Sequence, residues 1–188
     1  MLMNLILITG MPGARKSDVS RLMASYGNTT FNMSHIIAQE LKASGLAHTP
    51  DNYHKCAQEM RSFHGPEILA KRTLEQLRNV SERIKIIDGI RTPEELSYFR
   101  SQSDFCRLVL VHASRRSRHE RMRSRSGPEL QNESQLESLD RQNLQLGLAE
   151  VMADSDYVII NGNYLGQDLT QTTYLVYRAI IEELIPVE

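Results

Sequence analysis

The chain has 188 residues, a formal net charge of −1 and 24% charged residues. This length suits one domain with one substantial core, and the balanced charge argues against a protein that binds nucleic acid or membranes over much of its surface. The two cysteines, Cys56 and Cys106, lie in apolar or helical contexts, so we expect no disulfide framework and a reducing, cytoplasmic location. No stretch approaches the ~20 apolar residues of a membrane span, and Met1–Thr9 leads into a glycine loop without a secretory cleavage site.

Apolar, β-rich runs alternate with helical stretches along the chain. The predicted strands are Met1–Thr9, Thr30–Met33, Ile84–Asp88, Phe105–His112 and Tyr157–Asn161. Helical periodicity between the runs is typical of a parallel sheet that is covered on both faces. We therefore predict an α/β fold with three layers, in a single domain over residues 1–188.

The predicted helices of the first half follow the first two strands. Lys16–Tyr26 begins in the glycine loop itself. A longer helical region covers about residues 34–80, and Gly/Pro-containing segments interrupt it near Leu46–Asp51 and near Gly65–Pro66.

The predicted helices of the second half have clearer beginnings. Thr92 and Pro93, followed by two acidic residues, are typical of an N-cap and a first helical turn. Residues 114–152 predict two helices around a polar break at about 124–134, and Leu169–Leu184 predicts the last helix.

A phosphate-binding loop is the strongest functional signal in the sequence. Residues 10–17 follow the first strand, precede the first helix and nearly match the pattern G-x-x-x-x-G-K-[ST]. In such loops, backbone N–H groups and the helix N-terminus surround the phosphates. Lys16 is therefore the candidate for the outer phosphates and Ser17 for Mg²⁺. The other predicted nucleotide-binding residues of the loop are Gly10, Pro12, Gly13, Ala14 and Arg15.

Arg15 stands where the pattern has its last glycine. If that position needs a positive φ, a non-glycine residue costs about 1–2 kcal/mol. A guanidinium beside an anion could offset part of that strain. A glycine-rich turn that binds no ligand is the alternative interpretation of the loop.

Several short motifs together resemble one family of proteins. The motifs are Ile8–Gly13, Ile87–Arg91, Val111–Ser114 and the stretch from Leu146 to Asp154. Their order and spacing are similar to small archaeal P-loop proteins related to adenylate kinase and dephospho-CoA kinase. The resemblance implies a five-stranded parallel core, an acceptor-binding helical region at about 34–80, a lid at about 114–134, and ATP with Mg²⁺ as cofactors.

The resemblance also implies roles for residues around the third strand. Asp88 and Arg91 match the strand end of adenylate kinases, where the aspartate supports Mg²⁺ through water and the arginine grips an acceptor phosphate. A planar, bidentate guanidinium suits that task. Arg61 and Arg72 match acceptor-side helices and are candidate acceptor contacts. The alternatives are a helix-capping role for Asp88 and solvated helix faces for Arg61 and Arg72.

Other positions depart from the pattern of the relatives. His35 occupies the place of an aspartate expected to orient or deprotonate the acceptor hydroxyl, and a histidine with a pKa near ~6.5 can act as a base. It supplies no negative charge to Mg²⁺, and a polar residue in a helix capped by Ser34 is the alternative. Relatives often have an arginine near the position of Ala38, which this sequence lacks, and Leu139 stands where relatives tend to have another arginine. The lid tip at 125–128 lacks the acidic residues that relatives have there.

An arginine-rich segment begins at Ser114. Its members are Arg115, Arg116, Arg118, Arg121, Arg123 and Arg125. In the kinase interpretation, Arg118 and Arg121 lie one turn apart and neutralise charge on the transferred phosphoryl group. A basic stripe for RNA or for an acidic partner is a second interpretation, although the segment lacks interleaved aromatic residues. A solvated helix that pairs with acids such as Glu120 is a third.

Two further groups carry weaker signals. Asn161 and Asn163 follow the last strand, where relatives place the loop that touches the adenine ring, and a tight turn explains them equally well. The spacing of the residues in a histidine-rich stretch fits no compact zinc pattern. That stretch contains His48, His54, Cys56 and His64.

The leading hypothesis is an ATP-binding, nucleotide-kinase-like phosphotransferase acting on a small phosphorylated acceptor, such as a nucleotide or a dephospho-CoA-like molecule. Its expected catalytic residues are Lys16, His35, Asp88, Arg118 and Arg121. The departures leave open a non-catalytic P-loop module that serves as a regulatory or assembly subunit, and an RNA-associated ATPase is the weaker third hypothesis. A homodimer or a protein partner is compatible with the sequence, nucleic acid is the less favoured partner, and no membrane partner is expected.

Overall fold

A computed structural model describes residues 3–125, 133–162 and 168–185. The described strands are β1 (Met3–Thr9), β2 (Thr29–Asn32), β3 (Ile84–Asp88), β4 (Ser103–His112) and β5 (Tyr157–Ile160). They form one five-stranded sheet in the order β2-β3-β1-β4-β5, and every pair is parallel. The predicted parallel sheet is confirmed. Strand β2 begins and ends one residue earlier than predicted, and β4 begins two residues earlier.

Helices connect the strands and cover the sheet. The described helices are α1 (Lys16–Ala24), α2 (Ser34–Ala43), α3 (Pro50–His64), α4 (Ile68–Leu77), α5 (Pro93–Ser101), α6 (Arg115–Arg125), α7 (Glu133–Gln145), α8 (Leu148–Ala153) and α9 (Leu169–Leu184). Residues 114–152 thus hold three helices where the sequence predicted two, because Gly147, with φ 90°, separates α7 from α8. Over the described ranges, no helix combines the length and the apolarity that crossing a membrane requires.

The core lies in two layers on opposite faces of the sheet. Leu5 and Leu7 of β1 pack toward α2, α3, α4, α5 and α8. Ile6 and Ile8 pack toward α1 and α9. Side chains alternate between the two faces along a strand, and a strand that is covered on both sides is apolar at every position. This explains the uninterrupted apolar run of β1.

The chain continues to opposite sides of β1 in the sheet, and the loop that follows β1 lies at this switch point. Strand β1 pairs with β3 on one side and with β4 on the other. In parallel sheets, ligands bind beyond the carboxyl ends of the strands at such a switch point. The loop that follows β1 therefore lies between Asp88, which ends β3, and His112, which ends β4.

Candidate active site

The loop between β1 and α1 approaches its neighbours too closely for side chains at two positions. Gly10 has φ 139°, and a Cβ there would lie 2.3 Å from the carbonyl oxygen of Val111. Gly13 has φ 80°, and a Cβ there would lie 2.9 Å from the carbonyl oxygen of Arg118. Glycine is required at both positions for steric and conformational reasons. The loop backbone is thus held between β4 and α6, as a rigid phosphate cradle requires.

Arg15 adopts the left-handed conformation immediately before α1. Its φ of 69° is the one positive value at a non-glycine residue within the described ranges. The position thus needs a positive φ, and the backbone of Arg15 is strained there. The Arg15 Nε donates to Asp18 Oδ2 at 2.5 Å. Partial burial raises the pKa of Asp18, but hydrogen bonds from Arg15 and Arg21 outweigh it and lower that pKa overall. The guanidinium is therefore engaged on the surface of α1.

Lys16 lies half-buried at the start of α1 and turns back onto the loop. Its Nζ donates to the carbonyl oxygen of Met11 at 3.3 Å. Burial lowers the pKa of Lys16 to about 8; Asp88 opposes this shift, while Arg91 and Arg118 add to it. An ammonium group among other cations, held by one neutral carbonyl, is well suited to accept an anion.

Ser17 and Asp88 are joined directly, as expected for residues that share a metal ion. The Ser17 Oγ donates to Asp88 Oδ2 at 2.8 Å, and Asn32 Nδ2 donates to the same oxygen at 3.2 Å. Asp88 is 2% exposed, and its Oδ1 has no hydrogen-bond partner within the described residues. One hydroxyl and one carboxylate, of which one oxygen is unpaired, fit Mg²⁺, which takes few protein ligands and completes its shell with water and phosphate.

A cavity of about 180 Å³ opens beside the end of β3, between α2, α3 and α7. We call it the acceptor chamber. Its wall includes Asn32, Ser34, His54, Arg61, Arg91 and Leu139. A wider groove of about 450 Å³ continues outward and shares Pro50, Leu139 and Gln142 with the chamber. An elongated small molecule can therefore enter from the groove.

Two arginines of the chamber share one buried carboxylate. Glu95 is fully buried; its Oε1 accepts from Arg61 Nη2 at 2.7 Å, and its Oε2 accepts from the backbone N–H of Arg91 at 3.0 Å. The Arg91 guanidinium donates no hydrogen bond to any described residue. Desolvation lowers the pKa of Arg91; Glu95 opposes this, and Arg61 adds to it. Arg61 already pairs with the Glu95 carboxylate, so the Arg91 guanidinium, which has no side-chain hydrogen-bond partner among the described residues, can bind an anion.

The two arginines that were predicted to act from a lid, Arg118 and Arg121, contact the outer side of the loop. Arg118 forms a bidentate pair with Asp140 at 2.7 and 2.6 Å and also donates to the carbonyl oxygen of Pro12 at 3.0 Å. Arg121 donates to the carbonyl oxygens of Gly13 at 3.3 Å and Asn161 at 3.1 Å. Helix α6 is thereby fixed against the loop.

Asn161 completes this outer wall. It is buried directly after β5, and its Nδ2 donates to the carbonyl oxygen of Ala14 at 2.8 Å. The predicted loop residues therefore lie together with Asn161, Arg118 and Arg121.

No protein-family model matches the chain. A UPF0200 protein of Hyperthermus butylicus is 33% identical over 158 residues, a match that covers 84% of each chain. The chain belongs to the UPF0200 family.

Solved structures show the fold of this UPF0200 chain independently. A shikimate kinase from Bacteroides thetaiotaomicron superposes with a TM-score of 0.57 at 15% identity, covering 98% of this chain and 99% of that one. A gluconokinase from Sinorhizobium meliloti 1021 gives a TM-score of 0.55 at 17% identity, covering 97% and 96%. The fold is therefore that of small-molecule P-loop kinases.

Two of the predicted site residues that the structure describes are not brought to the site of the UPF0200 chain. His35 is exposed on α2, packs edge-on against Phe31 with ring centroids 5.8 Å apart, and does not line the acceptor chamber. Arg72 donates to Glu40 Oε2 at 2.6 Å on the outer side of α2 and α4. Asn163 lies outside the described residues.

Two further arginines of α6 have acidic neighbours. Arg116 pairs with Glu120 at 2.9 Å, and Arg115 pairs with Glu137. The predicted pairing of this helix with Glu120 is confirmed. Acidic residues of the UPF0200 chain itself therefore compensate the charges of Arg115 and Arg116.

Sequence reasoning missed three residues of the site. Asn32 was included in a strand without a role, although a polar residue at a strand end beside the switch point is a usable signal. His54 entered only as a poor metal ligand, yet its spacing of three and seven from Ala57 and Arg61 places all three on one helix face. Glu95 was recognised as a first-turn acid, and its capping box with Thr92 is present, but no local pattern indicates its bond to Arg61.

Proposed function

We propose that this UPF0200 chain is an ATP-dependent phosphotransferase that acts on a small phosphorylated acceptor, such as a nucleotide or a dephospho-CoA-like molecule. One observation carries the proposal: the Ser17–Asp88 pair lies at a glycine-bounded phosphate loop and adjoins a chamber with two arginines. The P-loop kinase fold supports it. In this proposal residues 1–188 act as one domain, with residues 34–80 as the acceptor region and 114–134 as the lid.

The donor half of the proposed site consists of the loop and its outer wall. The backbone amides of residues 10–17 would surround the phosphates, and Lys16 Nζ would exchange the Met11 carbonyl for phosphate oxygens. Ser17 and Asp88 would hold Mg²⁺, and Asn161 lies where the nucleoside would contact the protein. When bound, Mg-ATP supplies the phosphoryl group and the metal charge that neutralises it.

The acceptor half of the proposed site favours an anionic oxygen as the attacking group. Arg91 would bind the acceptor phosphate, and Arg61 would add a second guanidinium held by Glu95. A phosphate monoester is largely ionised at neutral pH, since its second pKa is about 6, so it needs no general base. His35, the predicted base, is exposed outside the chamber. This favours a nucleotide, whose phosphate attacks, over an acceptor that attacks through a hydroxyl.

A panel of acceptors tests the proposal. Nucleoside monophosphates, dephospho-CoA, shikimate and gluconate would each be incubated with Mg-ATP, and ADP release would be measured against a no-acceptor control. We expect one class of nucleoside monophosphate to stimulate ADP release at least tenfold, and Lys16→Ala to abolish the stimulation. Equal background release with every acceptor would contradict the proposal.

A non-catalytic nucleotide-binding module is the second candidate, and the lid arginines favour it. Arg118 is committed to Asp140 and Pro12, and Arg121 to Gly13 and Asn161. Both side chains would have to release protein partners before they could neutralise a transferred phosphoryl group. Saturable Mg-ATP binding without ADP release across the whole panel is the result that would favour a regulatory or assembly role.

A further inference from the structure

One neutral side chain joins the two halves of the site. Asn32 ends β2, and its Nδ2 donates to Asp88 Oδ2 at 3.2 Å. Its Oδ1 accepts from the backbone N–H of Ser34 at 2.9 Å and from the Ser34 hydroxyl at 2.6 Å. The donor end therefore faces the candidate metal carboxylate, while the acceptor end forms the turn that starts α2.

Few side chains can make both contacts at once. An amide carries a donor and an acceptor on one short stem, whereas a carboxylate only accepts and a hydroxyl is too short to reach both groups. Asn also forms this type of turn readily with the residue two positions on. The backbone N–H of Met33 donates separately to the carbonyl oxygen of Asp88 at 2.9 Å, so the approach of the two segments does not depend on the side chain alone.

We propose that Asn32 is a positioning residue that fixes the Asp88 carboxylate beside Ser17 and couples it to the first turn of α2. Asn32 and Ser34 both line the acceptor chamber, and Ser17 belongs to the phosphate loop. The geometry of the metal carboxylate and the order of the acceptor-side helix therefore depend on one another. This inference rests on the proposed function for its role and extends it to a residue for which the fold resemblance gives none.

Calorimetry of Mg²⁺-ADP binding distinguishes the effect of the Asn32 contact with Asp88 from the effect of the Asn32 contact with the Ser34 hydroxyl. Asn32→Ser keeps a hydroxyl that can support the turn but loses the reach to Asp88, while Ser34→Ala leaves the Asn32–Asp88 bond in place. We expect Asn32→Ser to weaken Mg²⁺-ADP binding about tenfold, the usual effect of losing a hydrogen bond to a charged group. Ser34→Ala should change the affinity less than twofold.

The magnesium dependence distinguishes positioning from a general structural effect. With EDTA in place of Mg²⁺, we expect ADP to bind wild type and Asn32→Ser within about twofold of each other, because Asp88 then has no metal to hold. Equal weakening with and without Mg²⁺, or no weakening at all, would overturn the proposal.

Amide hydrogen exchange tests the coupling to α2. Mg²⁺-ADP should slow exchange at the Ser34 amide in wild type by at least fivefold, because ordering Asp88 orders the turn through Asn32. The same ligand should leave this amide unchanged in Asn32→Ser. Equal protection in both proteins would overturn the coupling.

If wild type does not bind Mg²⁺-ADP, the proposed function is wrong, but that result does not test the role of Asn32. A measurement without nucleotide then tests this role. A double-mutant cycle of Asn32→Ser and Asp88→Ala, followed by urea unfolding, isolates the interaction between these two side chains. We expect a coupling of at least fivefold in the unfolding equilibrium constant. Independent, multiplicative effects of the two substitutions would reject the positioning role.

Discussion

The Ser17 hydroxyl donates to the Asp88 carboxylate at 2.8 Å, across 71 positions of sequence. The sheet order explains this contact, because β1 and β3 are neighbours and their carboxyl ends lie side by side. The loop that follows β1 brings the hydroxyl, and the end of β3 brings the carboxylate. The proposed magnesium-nucleotide site is thereby assembled from two distant segments.

Nucleotide binding should weaken at alkaline pH. The pKa of Lys16 is lowered to about 8, so the ammonium group loses its proton as the pH rises through that value and no longer attracts phosphate. Bound phosphate favours the charged form, so binding above pH 8 should take up as much as about one proton. Calorimetry of Mg-ATP between pH 7 and 9.5, in buffers of different ionisation enthalpy, measures both. A constant affinity without proton uptake would contradict this role of Lys16.

Replacing Arg15 by glycine should stabilise the protein. Relief of about 1–2 kcal/mol of left-handed strain exceeds the added flexibility of an unfolded glycine, so we expect the free energy of unfolding to rise by about 1 kcal/mol. Arg15→Ala is the matched control, because it keeps the strained φ and removes only an exposed ion pair worth about 0–1 kcal/mol. Urea unfolding measures both variants. Equal stabilisation by alanine would show that strain is not the cause.

Removing the buried carboxylate of Glu95 should destabilise the fold strongly. Arg61 would be left with a nearly buried, uncompensated charge, so Glu95→Ala should lower the free energy of unfolding by about 3–5 kcal/mol. Glu94 is exposed in the same helical turn, and Glu94→Ala should change the free energy by about 0.5 kcal/mol or less. Similar losses in the two variants would mean that the contact with Arg61 contributes little.

Arg91 and Arg72 should differ in their effect on the acceptor. Arg91 lines the chamber and makes no side-chain hydrogen bond with the described residues, whereas Arg72 pairs with Glu40 on the outer side of α2. We expect Arg91→Ala to raise the acceptor KM at least tenfold, since a charge-assisted contact is lost. Arg72→Ala should change it less than twofold. Steady-state kinetics with an active acceptor of the panel measure both, and a reversed order would contradict the placement of the chamber.

The parts of the site that are coded locally could be predicted from the sequence. The apolar run of β1, the glycines of the loop and the acid at the end of β3 each follow from a short pattern and from the strand order of a parallel sheet. Arg61 and Arg72 could not be separated in this way. Both are basic residues in helical stretches, and only the packing of α3 and α4 determines which of them faces the chamber.

The same limit applies to the acceptor side as a whole. His35 was expected in a helix capped by Ser34. It does lie in α2, but Ser34 is the first residue of that helix and not its cap, and the His35 side chain is exposed because Ile36 and Ile37 occupy the buried face of α2. Asn32 and Glu95 act through partners 56 and 34 positions away. Contacts over such separations depend on tertiary packing, which no local periodicity encodes.

Calorimetric titration of wild type with Mg-ATP, with Lys16→Ala as the control, tests the central claim most directly. The claim is that the loop of residues 10–17 binds a polyphosphate although Arg15 replaces its last glycine. We expect saturable binding with a dissociation constant below about 1 mM, corresponding to about 4 kcal/mol or more, and its loss in Lys16→Ala. No binding heat from wild type at millimolar nucleotide would contradict the claim.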